Sequence, residues 1–225
     1  MPSVGRRPNV GGLSGVSLRA LLLAAGQGRR FGADKLTAQL ADGTPVGVAA
    51  ARNLLAAGCD VLAVVRVPGA GVGPALAALG VEVVGCADAR FGMGHSLACG
   101  VRASVAADGW LVALADMPFV RPETIAAVAR AVTAGAEIAV PTVAGRRGHP
   151  VGFAARWRPE LLALQGTVGA RALLAANPDR IVSVPVDDPG ALRDIDRPAD
   201  LAAAQSPVGA GGRHPGADRR SNGDA

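Results

Sequence analysis

One lysine and three carboxylates frame the chemistry open to this chain. Lys35 is the only lysine among 225 residues; the other 22 basic residues are arginine. A compact ammonium where the rest of the chain uses guanidinium fits a specific contact, such as a transferring phosphoryl group. It closes the stretch LLLAAGQGRRFGADKL, residues 21–36, where an apolar run breaks into Gly26, Gly28 and Gly32 with Arg29 and Arg30 between them. Glycines let backbone N–H groups converge on an anion, and the interleaved cations add charge where phosphates would lie. Farther on, an apolar stretch ends in Leu114-Ala115-Asp116-Met117-Pro118, and near the C-terminus stands Asp194-Ile195-Asp196-Arg197-Pro198. Alternation in an extended segment puts Asp194 and Asp196 on one face. Carboxylates so arranged suit Mg²⁺, which prefers oxygen ligands and is commonly shared with substrate phosphates. The same residues also suit plainer roles: a glycine-rich loop with solvated arginines, a turn-forming Asp116, and helix N-caps at 194 and 196.

Neither familiar glycine motif fits the first loop. A dinucleotide-binding fingerprint needs G-x-G-x-x-G, and the glycines here fall as G-x-G-x-x-x-G. A P-loop needs G-x-x-x-x-G-K-[ST], whereas Gly32 stands three residues before Lys35 with Leu36 behind it.

The elements that must hold these loops alternate. Residues 18–23 read as a buried strand, 47–57 as a helix closed by Gly58, and 61–65 as a strand. A short helix at 75–79, a strand at 81–84, a helix at 96–106 and a strand at 110–115 follow. Pro122 sits where proline favours the first helical turn, ahead of a helix over 123–133. A strand at 138–140 comes next. This pattern predicts a single-domain α/β fold, a mostly parallel sheet flanked by helices. Beyond 145 it loosens into an extended piece at 151–153, helices near 160–164 and 170–176, a strand at 181–184 and a helix from Pro198. Ligands of such sheets bind beyond the carboxyl ends of the strands, where the loops above lie.

Composition narrows the partners. The isoelectric point near 10.3 invites a nucleic-acid reading. However, the two ends, residues 1–19 and 204–225, hold +4 of the formal +5, and residues 20–203 carry 17 basic against 16 acidic side chains. With aromatic residues at 3% and no tyrosine, no aromatic-rich basic face is available, so nucleic acid is excluded as a partner. Cys59, Cys86 and Cys99 form no CxxC pair and are odd in number, as expected of free thiols in a reducing compartment. No apolar run approaches the length of a membrane span and no signal-peptide core precedes Leu18, so the reading is a cytoplasmic protein with no membrane partner. Residues 1–17 and 205–225 are rich in Gly, Pro and Ser and read as disordered tails around one domain at 18–204.

In order, LAAGQGRRFGADK, GMGHSL, LADMP, GRRGHPVGF, VGAR and DIDRPADL resemble the motifs of the MobA-like nucleotidyltransferases, and more narrowly those of the molybdenum cofactor cytidylyltransferases (MocA). The resemblance runs from about residue 19 to 204. It implies a GT-A-like (Rossmann-like) fold and transfer of CMP from CTP to the terminal phosphate of molybdopterin, releasing pyrophosphate, with Mg²⁺ as cofactor. Residue by residue it implies a nucleotide site at Leu23, Ala24, Ala25, Gly26, Gly28, Arg30, Gly32, Lys35 and Ala115. Arg30, Lys35 and Asp116 would carry the catalysis, and Asp116 with Asp196 or Asp194 would hold the metal. Met93, His95, Ser96, His149 and Arg171 would face the acceptor, and a recipient molybdoenzyme or its chaperone would take the product. Ala25 favours CTP, since guanylyl relatives read LAGG where this chain reads LAAG. GTP in place of CTP, a sugar-phosphate acceptor, or a non-catalytic role handing cofactor to a molybdoenzyme are the rival readings. Two departures from the family pattern fall on the acceptor side. No acid precedes Gly169-Ala170-Arg171, and Gly94-His95 stands where small hydroxylated residues are common.

Overall fold

Strand β1, Leu18–Leu23, is buried on both faces at its carboxyl end, and its alternation explains the architecture. Ala20 and Leu22 enter one hydrophobic core while Leu21 and Leu23 enter another, as the period of two requires. This is seen in a computed structural model that describes residues 16–26, 31 and 34–205. β1 pairs in parallel with β2, Asp60–Val65, on one side and with β4, Gly109–Leu114, on the other, so that Leu22 opposes both Ala63 and Ala113. β3, Glu82–Gly85, extends the parallel set beyond β2. On the far side β7, Val151–Ala154, runs antiparallel between β4 and β5, Ile138–Val143. β5 in turn pairs with the short β6, Arg146–Arg147, in antiparallel, and with β8, Ile181–Pro185, in parallel. The eight strands form one mostly parallel sheet.

Helices cover both faces. The core on the Ala20 face takes Val46, Ala50, Ala51 and Leu54 of α1 (Val46–Ala56), Leu76 of α2 (Gly73–Ala78) and Ile125, Val128 and Val132 of α4 (Pro122–Thr133). The opposite core takes Leu97 and Val101 of α3 (Met93–Ala103) and Leu161 of α5 (Arg158–Leu162), with Leu173 and Leu174 of α6 (Arg171–Ala176) packed against it. α7, Pro198–Gln205, follows. The expected alternation is therefore observed, including Pro122 in the first turn of α4. α3 begins three residues earlier than its apolar spacing indicates. Gly92 takes the N-cap position at φ 132°, a conformation that costs other residues heavily, and the helix starts at once behind it.

All three cysteines are free thiols. Burial pushes the Cys59 thiol up to about 11, and Cys99 likewise, chiefly by burial and then by the neighbouring Cys86 thiol. No helix among the described residues is long and apolar enough to cross a membrane. The tails expected to be disordered fall largely outside the described residues; where the chain enters the domain, the Ser17 N–H donates to Asp108 Oδ2 at 2.8 Å.

Candidate active site

Because β1 and β4 are adjacent and in register, with Leu23 opposite Leu114, the loops that follow them leave the sheet side by side. The Ala24 N–H donates to Val64 O at 2.8 Å and the Ala115 N–H to Leu23 O at 3.1 Å, prolonging the ladder into both loops. Lys35 comes from a turn that Asp34 organises. Asp34 Oδ1 accepts the Leu36 N–H at 3.1 Å, while its carbonyl accepts from the N–H and hydroxyl of Thr37. Leu36 is buried, and its carbonyl accepts the Gly47 N–H, which ties the turn to α1. The third contribution is an irregular strap, residues 188–197. Ile195 is fully buried in the core, and its N–H donates to Asp116 O at 2.9 Å. That bond faces Asp194 and Asp196 toward Asp116, as the alternation of the sequence anticipates. The strap is pinned at both ends. Asp188, 2% exposed, accepts from the Arg121 N–H, the Thr124 hydroxyl and the Gly190 N–H; Asp200 accepts the N–H groups of Asp196 and Arg197.

These three pieces meet at Lys35. Its Nζ lies 2.7 Å from Asp116 Oδ2 and 3.0 Å from Asp196 Oδ1, and carboxylate oxygens of Asp116, Asp194 and Asp196 all lie within 4.8 Å of one another. Burial pushes the Lys35 ammonium down, but the hydrogen bonds and charges of Asp116 and Asp196 outweigh it, holding its pKa above the ordinary value. The ammonium is thus charged at neutral pH. Asp116 Oδ1 is buried and has no hydrogen-bond partner among the described residues. A buried acceptor left unpaired is costly; a hard cation against it, in an all-oxygen set, would satisfy it. The residues therefore fit a divalent ion of the Mg²⁺ or Mn²⁺ type. The cluster stands in a cleft of about 540 Å³, whose lining includes Leu23, Ala25, Gly26, Met93, Ser96 and Thr167. That is within the usual size for a small-molecule site.

Residues 20–181 match the MobA-like NTP transferase domain. The chain belongs to the MobA-like NTP transferase family. Among curated proteins it is 32% identical over 196 residues to the purine catabolism protein PucB of Bacillus subtilis, covering 81% of this chain and 93% of PucB. Among solved structures it is similar to Rv0371c of Mycobacterium tuberculosis, at 27% identity and a TM-score of 0.73, covering 86% of this chain and 99% of that one. It is also similar to an Rv0371c complex with manganese, at 25% identity and a TM-score of 0.67, covering 84% and 98%.

The MobA-like fold accounts for where the remaining predicted residues stand. Leu23, Ala25, Gly26, Lys35, Met93, Ser96, Asp116, Asp194 and Asp196 share the cleft. Ala24 instead lines a neighbouring hollow of about 370 Å³ with Asp34, Arg66 and Gly71, and Ala115 is buried beneath the site. Gly28, Arg30 and Gly32 lie outside the described residues. His95 turns to the other side of α3, where it lines a separate hollow with Cys86, Cys99 and Gln165. Arg171 is exposed at the start of α6 and is not among the cleft-lining residues. His149 lines a small void with Asn53 and Met117 rather than the cleft. Burial lowers its pKa, against the opposing charge of Asp116 and a hydrogen bond to the Val112 carbonyl, so its ring is neutral at pH 7. Sequence reading did not single out Arg90 and Thr167, which also line the cleft. Arg90 could have been suspected as a cation two residues before Gly92; its guanidinium stacks 4.7 Å from the Phe91 ring centre. Thr167 carries no sequence signal, because its place depends on the packing of its loop against α3.

Proposed function

We propose that this protein is a metal-dependent cytidylyltransferase that transfers CMP from CTP to the terminal phosphate of molybdopterin-type cofactor, with release of pyrophosphate. The observation that carries the reading is the meeting of Lys35 with Asp116 and Asp196, and with Asp194 close by, in a cleft that Ala25 and Gly26 of the loop after β1 also line. Ala25 in that loop supports CTP, and the resemblance over residues 19–204 supports the acceptor.

In the transfer an oxygen of the acceptor's phosphate attacks the α-phosphorus of CTP, the bond from that phosphorus to the bridging α–β oxygen breaks, and pyrophosphate leaves with that electron pair. Protein supplies position and charge rather than covalent intermediates. Mg²⁺, when held by Asp116 with Asp194 and Asp196, supplies positive charge to the phosphate oxygens. Lys35 holds the carboxylates in place before substrate arrives. With a triphosphate in the cleft, its ammonium is within reach of the phosphates to offset the charge that builds on the leaving group. Ala25 and Gly26 have little or no side chain, and so let a nucleotide approach the backbone closely. Ser96 and Thr167 offer hydroxyls across the cleft.

The test is side-by-side turnover of CTP, GTP and ATP with Mg²⁺ and molybdenum cofactor, reading pyrophosphate. CTP is expected to be used at least about tenfold better in kcat/KM than GTP or ATP, a preference of about 1.4 kcal/mol. Preference for GTP would move the assignment to guanylyl transfer, and absence of pyrophosphate with every nucleotide would refute the proposal.

A further inference from the structure

The first turn of α3 and the loop before α6 meet at one wall of the cleft, more closely than ordinary side chains allow. A Cβ on Gly92 would collide with the Gly166 carbonyl, and one on Gly94 with the Gln165 backbone. At that approach the Gly94 N–H donates to Gly166 O at 2.9 Å, and in return the Gly166 N–H donates to His95 Nδ1 at 3.2 Å. A ring nitrogen accepts only when it carries no proton, so the bond requires the neutral imidazole with its hydrogen on the other nitrogen. The ring is braced by Phe91, 5.7 Å away and tilted by 53°, and the His95 carbonyl accepts from the Cys86 thiol at 3.7 Å. Met93 and Ser96 from α3, and Thr167 from the loop, then line the cleft together.

The two departures from the family pattern, His95 and the acid-free loop before Gly169, are therefore in direct contact. We propose that His95 is a positioning residue: by accepting the Gly166 N–H it fixes the 165–169 loop, and so sets how tightly a substrate is held between α3 and Thr167. The functional half of this inference rests on the cleft being the transfer site; the lock itself does not.

Three full-length variants separate the lock from general packing. In His95→Asn, Oδ1 can stand where Nδ1 stands; in His95→Gln the acceptor is one bond farther out; in His95→Ala there is none. Amide exchange of Gly166 is expected to rise about tenfold in H95A and H95Q and to stay within about threefold of wild type in H95N, as for one net hydrogen bond. In turnover, H95A is expected to raise KM for one of the two substrates about tenfold with kcat within about threefold, and H95N to restore it. Unchanged Gly166 exchange in H95A, unchanged KM for both substrates, or failure of H95N to rescue either readout would overturn the proposal. A wild type that transfers no nucleotide would end the reading of the cleft, and Gly166 exchange would still decide the lock.

Discussion

At Lys35 a single cation bridges two carboxylates, the half-buried Asp116 and the more exposed Asp196, and offsets part of their charge. The side chain is 12% exposed, so its charge acts in a medium less polar than water and is worth more there than on the surface. Lys35→Ala is expected to lower kcat by about 10²–10³-fold, the usual cost of one well-placed charge stabiliser, while circular dichroism stays that of the wild type. Lys35→Arg should not restore the rate, because a planar fork cannot fill a point-charge position between Asp116 and Asp196. Residual activity within about threefold of wild type in K35A would remove Lys35 from the chemistry.

At the scale of elements, the strap at 188–197 is the piece that completes the site. It has little regular structure, apart from a short 3₁₀ turn at Pro189–Leu192, and owes its path to a few polar anchors. Asp188 ties the strap to the start of α4, accepting the N–H of its N-cap residue Arg121 at 2.8 Å and the Thr124 hydroxyl at 2.7 Å. Asp188→Ala leaves those donors and the Gly190 N–H without an acceptor. It is expected to cost about 2–4 kcal/mol in urea unfolding and to weaken Mn²⁺ binding at Asp194 and Asp196. A loss of stability below about 1 kcal/mol would show that the strap is held by Ile195 and its neighbours alone. Much of this level was legible in the sequence. Strong apolar runs gave β1, β2 and β4, Pro122 gave the start of α4, and the spacing of Asp194 and Asp196 gave their common face. The strap's anchors were not legible, since Asp188 acts on residues 64 and 67 positions away. The sequence singled out His95 but not the bond it makes, for the same reason: its partner, Gly166, is 71 residues distant. Periodicity reports local geometry and says nothing of such pairings.

At the scale of the molecule, two hydrophobic cores fix a sheet whose carboxyl edge gathers loops from widely separated parts of the chain. The parallel register of β1 with β4 brings the loops that carry Gly26 and Asp116 into one cleft, α1 anchors the turn of Lys35, and the strap returns Asp194 and Asp196 from the C-terminal end. Such a scaffold needs neither nucleophile nor general base of its own if the reaction is nucleotidyl transfer, and that is the claim to test. The direct measurement is the fate of label in CTP carried separately at the α- and γ-phosphates, with Mg²⁺ and molybdenum cofactor present. The account predicts that α-label passes to the acceptor and γ-label to pyrophosphate, and that removing the metal with chelator abolishes both. Label from the γ-position appearing as orthophosphate, or CDP appearing as product, would mean that the β–γ bond is broken and would contradict it.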